Sequence, residues 1–75
     1  MNHLQIAKDG LWVFRLINSC KVENQLQVAK NCYKQFEIKW THKILPDDEK
    51  SNRIFKDFMK IIGSQISKIE KILKQ

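Results

Sequence analysis

Arginine is scarce in a chain that is otherwise strongly basic. Of 14 Lys and Arg residues only Arg15 and Arg53 are arginine, set against 8 Asp and Glu for a formal charge of +6. Arginine is the preferred bidentate partner of phosphates and guanine edges, so this charge permits an acidic partner without specifying a nucleic acid. The excess of lysine beside Ile, Asn and Gln is also the mixture an AT-rich genome writes by default. Cysteine is equally sparse, at Cys20 and Cys32 with no CxxC pair. Cys20 precedes a predicted helix and Cys32 lies inside it. Twelve helical residues rise roughly 18 Å, whereas bridged Cα atoms lie within about 7 Å, which excludes an internal disulfide between the two.

Chemistry-bearing patterns are missing as well. His3 and His42 fall at no zinc-ligand spacing from either cysteine, so no metal or cofactor is expected. Neither histidine has a partnered nucleophile or carboxylate in a recognisable arrangement, and no catalytic residue is expected. Asp47, Asp48 and Glu49 are explained by the start of a helix without a metal. The longest apolar-rich run, LWVFRLI at 11–17, is far too short to span a bilayer. No basic-then-apolar signal segment opens the sequence, and a cytoplasmic protein without a membrane partner is expected.

What is present is helical periodicity. The 75 residues, 43% of them apolar, are expected to form one domain over 1–75 with a modest core. Three segments, at about 3–18, 22–41 and 47–74, predict an all-α, three-helix bundle with a long C-terminal helix. In the first, Leu4, Ala7, Leu11, Phe14 and Asn18 mark one face. Trp12, Val13, Leu16 and Ile17 carry the apolar surface almost around that helix, which implies two partners or a sticky face. In the second, Val22, Leu26, Ala29, Tyr33, Phe36 and Trp40 make a 4-3-4-3-4 seam. The single proline, Pro46, is expected in the first turn of the third helix, with acids at the positive end of its dipole. Phe55, Met59, Ile62, Ile66, Ile69 and Leu73 then repeat the 4-3-4-3-4 spacing. Gly63 at the stripe's margin permits a close backbone approach.

Two kinds of contact residue stand out. Arg53, Lys56, Lys60, Lys71 and Lys74 lie opposite the third stripe and are joined from elsewhere by Lys30, Lys34 and Lys43. Such a surface suits RNA, DNA or an acidic protein surface, although Asp57 and Glu70 interrupt it and a solvated lysine face has the same composition. Tyr33, Phe36, Trp40, Phe55 and Phe58 fall on apolar seams, where core packing rather than base stacking is expected. Trp12 lies off the seams and reads as a protein-contact anchor. Val28 and Ile38 sit on the far side of the second helix. The third helix outruns its neighbours, so Ile69, Ile72 and Leu73 at its end either pack across the bundle's base or meet another chain, and contact with a partner or with a second copy as a homodimer is the expectation. A helix-turn-helix across 4–40 lacks the usual turn glycine and a base-reading set.

The stretch INSCKVENQLQVAKNCYKQF, residues 17–36, resembles a helix–turn–helix hairpin of small proteins from phages and mobile elements of AT-rich bacteria. Ser19-Cys20, Gln25-Leu26 and Phe36 carry the resemblance, and Val22 stands where many such hairpins have a threonine cap. The resemblance implies a short accessory protein of the anti-CRISPR type, without catalytic residues, that occupies a surface of a host protein or ribonucleoprotein. The expected function is therefore non-enzymatic binding. A basic nucleic-acid-binding protein and a self-assembling structural component remain the alternatives.

Overall fold

The computed structural model describes residues 2 to 74, with side chains from His3 onward. Three helices run up, down and up: α1 over Asn2–Asn18, α2 over Glu23–Lys43 and α3 over Glu49–Leu73. The bundle is elongated, 43 × 16 × 16 Å. The antiparallel pairs are fixed by Asp9 to Lys39 and Trp40 between α1 and α2, and by Tyr33 to Met59 between α2 and α3. The parallel pair, α1 with α3, is tied at its far end by Gln65 Nε2 donating to Asn18 Oδ1 at 2.6 Å.

One continuous core runs down the axis. Ile6, Val13 and Ile17 come from α1, Leu26, Ala29, Phe36 and Trp40 from α2, Ile44 from the connection, and Ile62 and Ile66 from α3. Partly buried Tyr33, Phe55, Phe58, Met59, Ile69 and Leu73 close its sides. The seams expected on α2 and α3 are thus the buried ones, except that Val22 is exposed at the N-cap of α2.

The inward face of α1 differs from the expected one. Leu4, Leu11 and Asn18 are exposed and Ala7 and Phe14 half-buried, while Ile6, Gly10, Val13 and Ile17 face inward. The spacing is again four, three, four, rotated around a helix that is apolar on most sides. Gly10 explains the choice. A Cβ built on it would lie 2.5 Å from Cδ1 of Phe58, so this backbone abuts an aromatic ring and no larger residue fits the position. Gly63 does the same more loosely for Tyr33, whose Oη would be 3.1 Å from an added Cβ. That hydroxyl donates to the Met59 carbonyl at 2.9 Å.

The helix ends follow local chemistry. Val22 supplies no side-chain cap to α2; Gln25 Oε1 instead accepts from the Lys21 N–H at 2.7 Å. Pro46 does not enter α3. Leu45 to Asp48 form a turn closed by the Asp48 N–H on the Leu45 carbonyl at 3.0 Å, with proline at the second position that its fixed φ favours. Asp48 is the N-cap and accepts from the Ser51 N–H at 3.2 Å, which leaves Glu49 as the acid of the first turn. The last turns of α3 do not overhang the bundle as expected from their length. They lie beside the start of α2, where Leu73 and Glu70 line a small cleft with Glu23, Leu26, Gln27 and Lys30.

Candidate interaction surface

Asp9 is the only acid in α1, and the fold engages it fully. Its carboxylate accepts from Gln5 Nε2 at 3.1 Å, from Lys39 Nζ at 2.8 Å and from the indole Nε1 of Trp40 at 3.0 Å. Burial on its own would raise this carboxyl. The bonds from Lys39, Gln5 and Trp40, with the Lys39 charge, outweigh that and hold it below its ordinary value. Lys39 and Lys43 also place their ammonium groups 5.1 and 5.7 Å from the centre of the Trp40 ring. This end of α2 is therefore pinned to α1 by one carboxylate and one buried indole.

Beside the pin lies a cleft of about 230 Å³ between α1 and α2, lined by Asp9, Trp12, Val13, Cys32, Gln35, Phe36 and Lys39. Trp12 forms its outer wall and is 60% exposed, in contrast to 2% for Trp40. Along the same outward side of α1 stand Leu4, Lys8, Leu11 and Arg15, all exposed. Trp12, the aromatic whose burial the sequence supports least, is thus exposed. Exposed Leu4 and Leu11 were missed, because they were assigned to the core.

The lysine surface is less unified than its composition implies. Lys30 forms an ion pair with Glu70, and Lys74 approaches the same carboxylate at 3.8 Å. The hydrogen bond from Lys30, with the charges of Lys30 and Lys74, holds the Glu70 carboxyl below its ordinary range against a smaller effect of burial. Lys43 lies against Trp40. Lys34 lines a separate groove on α2 with Tyr33, Glu37 and Ile66. Arg53 and Lys56 flank a broad open concavity with Pro46, Glu49, Asn52 and Asp57. Among the described residues, Arg53, Lys56, Lys60 and Lys71 pair with no carboxylate.

The remaining expected contact residues divide. Val28, Ile38 and Ile72 are exposed. Ile69 and Leu73 pack on the chain's own core, so they are already covered within one chain. Both cysteines are free and half-buried, and burial pushes the Cys20 thiol up. No cluster of metal-ligating side chains occurs among the described residues, and no helix there is long and apolar enough to cross a membrane. Comparison with protein-family models, with curated proteins and with solved structures finds no match.

Proposed function

We propose that this chain is a non-enzymatic binding protein that docks on a protein partner through the outward face of α1. The exposure of Trp12 carries the reading. Folding leaves an indole in water only at a cost of apolar surface that a partner would recover, and tryptophan is among the residues most enriched in interface hot spots. Leu4 and Leu11 widen the same face. The context implied by the resemblance over residues 17–36 is a mobile-element inhibitor seated on a host defence ribonucleoprotein, and the two surfaces suit such a composite target. The α1 face would meet its protein, and the unpaired cations of α3 its RNA.

The test is affinity capture from bacterial lysate with and without nuclease, followed by mass spectrometry. A specific protein retained after nuclease and lost with Trp12→Ala supports docking through α1. Direct binding of RNA or DNA by Arg53, Lys56, Lys60 and Lys71 is the second reading, favoured by their lack of partners. It requires affinity for free nucleic acid that falls steeply with salt, by a logarithmic slope of about −0.7 to −0.9 per phosphate neutralised. Negligible binding of free nucleic acid refutes it.

A further inference from the structure

We infer that the cleft between α1 and α2 is a socket for one apolar side chain carried on an acidic segment of a partner protein. The inference rests on the docking role of α1 and specifies the chemistry of what docks. Size comes first. The cleft is open on its outer side and offers about 230 Å³, below the span of about 300–1,000 Å³ typical of sites for small organic ligands. It has room for a single aliphatic or aromatic side chain. Its walls, Trp12, Val13, Phe36 and the Cys32 thiol, reward an apolar group.

Charge supplies the second half. The outward face of α1 carries Lys8 and Arg15, and Lys39 stands at the cleft's edge. The one carboxylate nearby, Asp9, is neutralised by Lys39 and bonded to Trp40 and Gln5. Lys39 and Asp9 cancel at the cleft itself, so a docking segment meets no free acid there, and meets the free cations Lys8 and Arg15 on the adjoining face of α1. A second copy of this chain would bring another +6 against that face, and like-charge approach disfavours it. An acidic segment is attracted by Lys8 and Arg15 beside the cleft while its apolar side chain fills the socket, the pairing of steering and anchoring seen in specific interfaces.

The probe is a set of helical peptides titrated into ¹⁵N-labelled protein: one with a central Phe flanked by Glu, one with Lys in place of each Glu, one with Ala in place of the Phe. The Glu/Phe peptide should shift the Trp12 indole N–H and the Cys32 and Gln35 amides saturably. The Lys and Ala versions should each bind at least tenfold more weakly. Trp12→Ala should abolish the response, as should Lys8→Glu with Arg15→Glu. Because all three side chains are exposed, the fold should survive, which a retained Trp40 indole signal verifies. Equal or tighter binding of the Lys peptide overturns the proposal, as do shifts that map elsewhere. Shifts that grow when the protein alone is concentrated would seat a second copy there and also overturn it. Capture of Trp12 by phosphatidylglycerol vesicles, with no response to the acidic peptide, would make the face a membrane contact and end the proposal. If a lysate protein depends on Trp12 while the acidic peptide fails, the socket's charge assignment falls and docking through α1 stands. If neither binds, both fall.

Discussion

Replacing Gly10 by alanine should destabilise this protein, against the usual direction of such a change. In an exposed helix interior the substitution gains about 1 kcal/mol, because alanine loses less backbone freedom on folding. Here the added methyl would stand 2.5, 2.7 and 2.9 Å from three ring carbons of Phe58, well inside contact distance. The ring cannot swing away freely, since it packs between α1 and the core. Overpacking of this kind costs about 1–3 kcal/mol. After the propensity gain a net loss of up to about 2 kcal/mol remains, which lowers the melting temperature by up to about 16 °C in a domain of this size. A cycle with Phe58→Ala isolates the clash. In that background Gly10→Ala should turn stabilising by up to about 1 kcal/mol, giving a coupling of about 1–3 kcal/mol, above the additivity error of independent sites. Urea titration followed by circular dichroism reads all four proteins. A rise in stability for Gly10→Ala with Phe58 intact would refute the close approach of α1 to α3. Gly63→Ala is the internal control: its Cβ would meet only Tyr33 Oη at 3.1 Å, and a smaller change is expected.

Four further outcomes are expected. Asp9→Ala should cost about 1–3 kcal/mol by orphaning the Trp40 indole, and Asp9→Asn less, since an amide oxygen still accepts; equal losses in urea would contradict the pin. The folded pKa of Asp9 lies below its ordinary 3.8, so its stabilisation is complete above that value and drains as pH falls through the folded pKa. Asp9→Asn should therefore reduce the loss of stability between about pH 5 and about pH 2, leaving the parts due to Asp48 and Glu70. Ser51 is buried beside the Asp48 carboxylate, which it helps to hold below its ordinary value, yet its Oγ lies outside hydrogen-bond geometry; Ser51→Ala should leave the melting temperature nearly unchanged, and a marked fall would mean that the hydroxyl bonds to Asp48. Leu73→Asp should destabilise the monomer whereas Ile72→Asp should not, because Leu73 packs on the core and Ile72 is exposed. Light scattering that finds a dimer dissolved by Ile72→Asp would restore the contact once expected of that helix end.

The architecture was legible where apolar residues are confined to a narrow stripe. On α2 and α3 the 4-3-4-3-4 seams leave a single rotational setting, and the structure adopts it. On α1 the signal was degenerate, since Leu4, Ile6, Ala7, Leu11, Trp12, Val13, Phe14, Leu16 and Ile17 offer several faces of similar quality. Gly10 broke the tie, and a hydropathy pattern gives glycine no weight. A lone acid and a glycine at adjacent positions in α1 were the overlooked clue. Asp9 marks the side that meets α2, and Gly10 the side that meets α3. Trp12 could be singled out because, unlike the other aromatics, it lies off the face first assigned to each helix. The cleft beside it could not, since it depends on how α1 is rotated against α2. The pairing of Lys30 with Glu70 was equally hidden, because it joins residues on different helices far apart in sequence.

The parallel packing of α1 on α3 bears on how such a chain is made. α1 packs more extensively on α3 than on its sequence neighbour α2, and Gln65 meets Asn18 from 47 positions away. As the chain leaves the ribosome, α1 and α2 can form a hairpin and set the Asp9 pin. The side of α1 at Gly10 stays uncovered until the segment around Phe58 has been synthesised and has folded back. Closing so long a loop precedes its reward, so a stalled or truncated product ending before residue 58 would present a raw apolar groove to chaperones and proteases. Completion of the third helix thus acts as the quality check on the first.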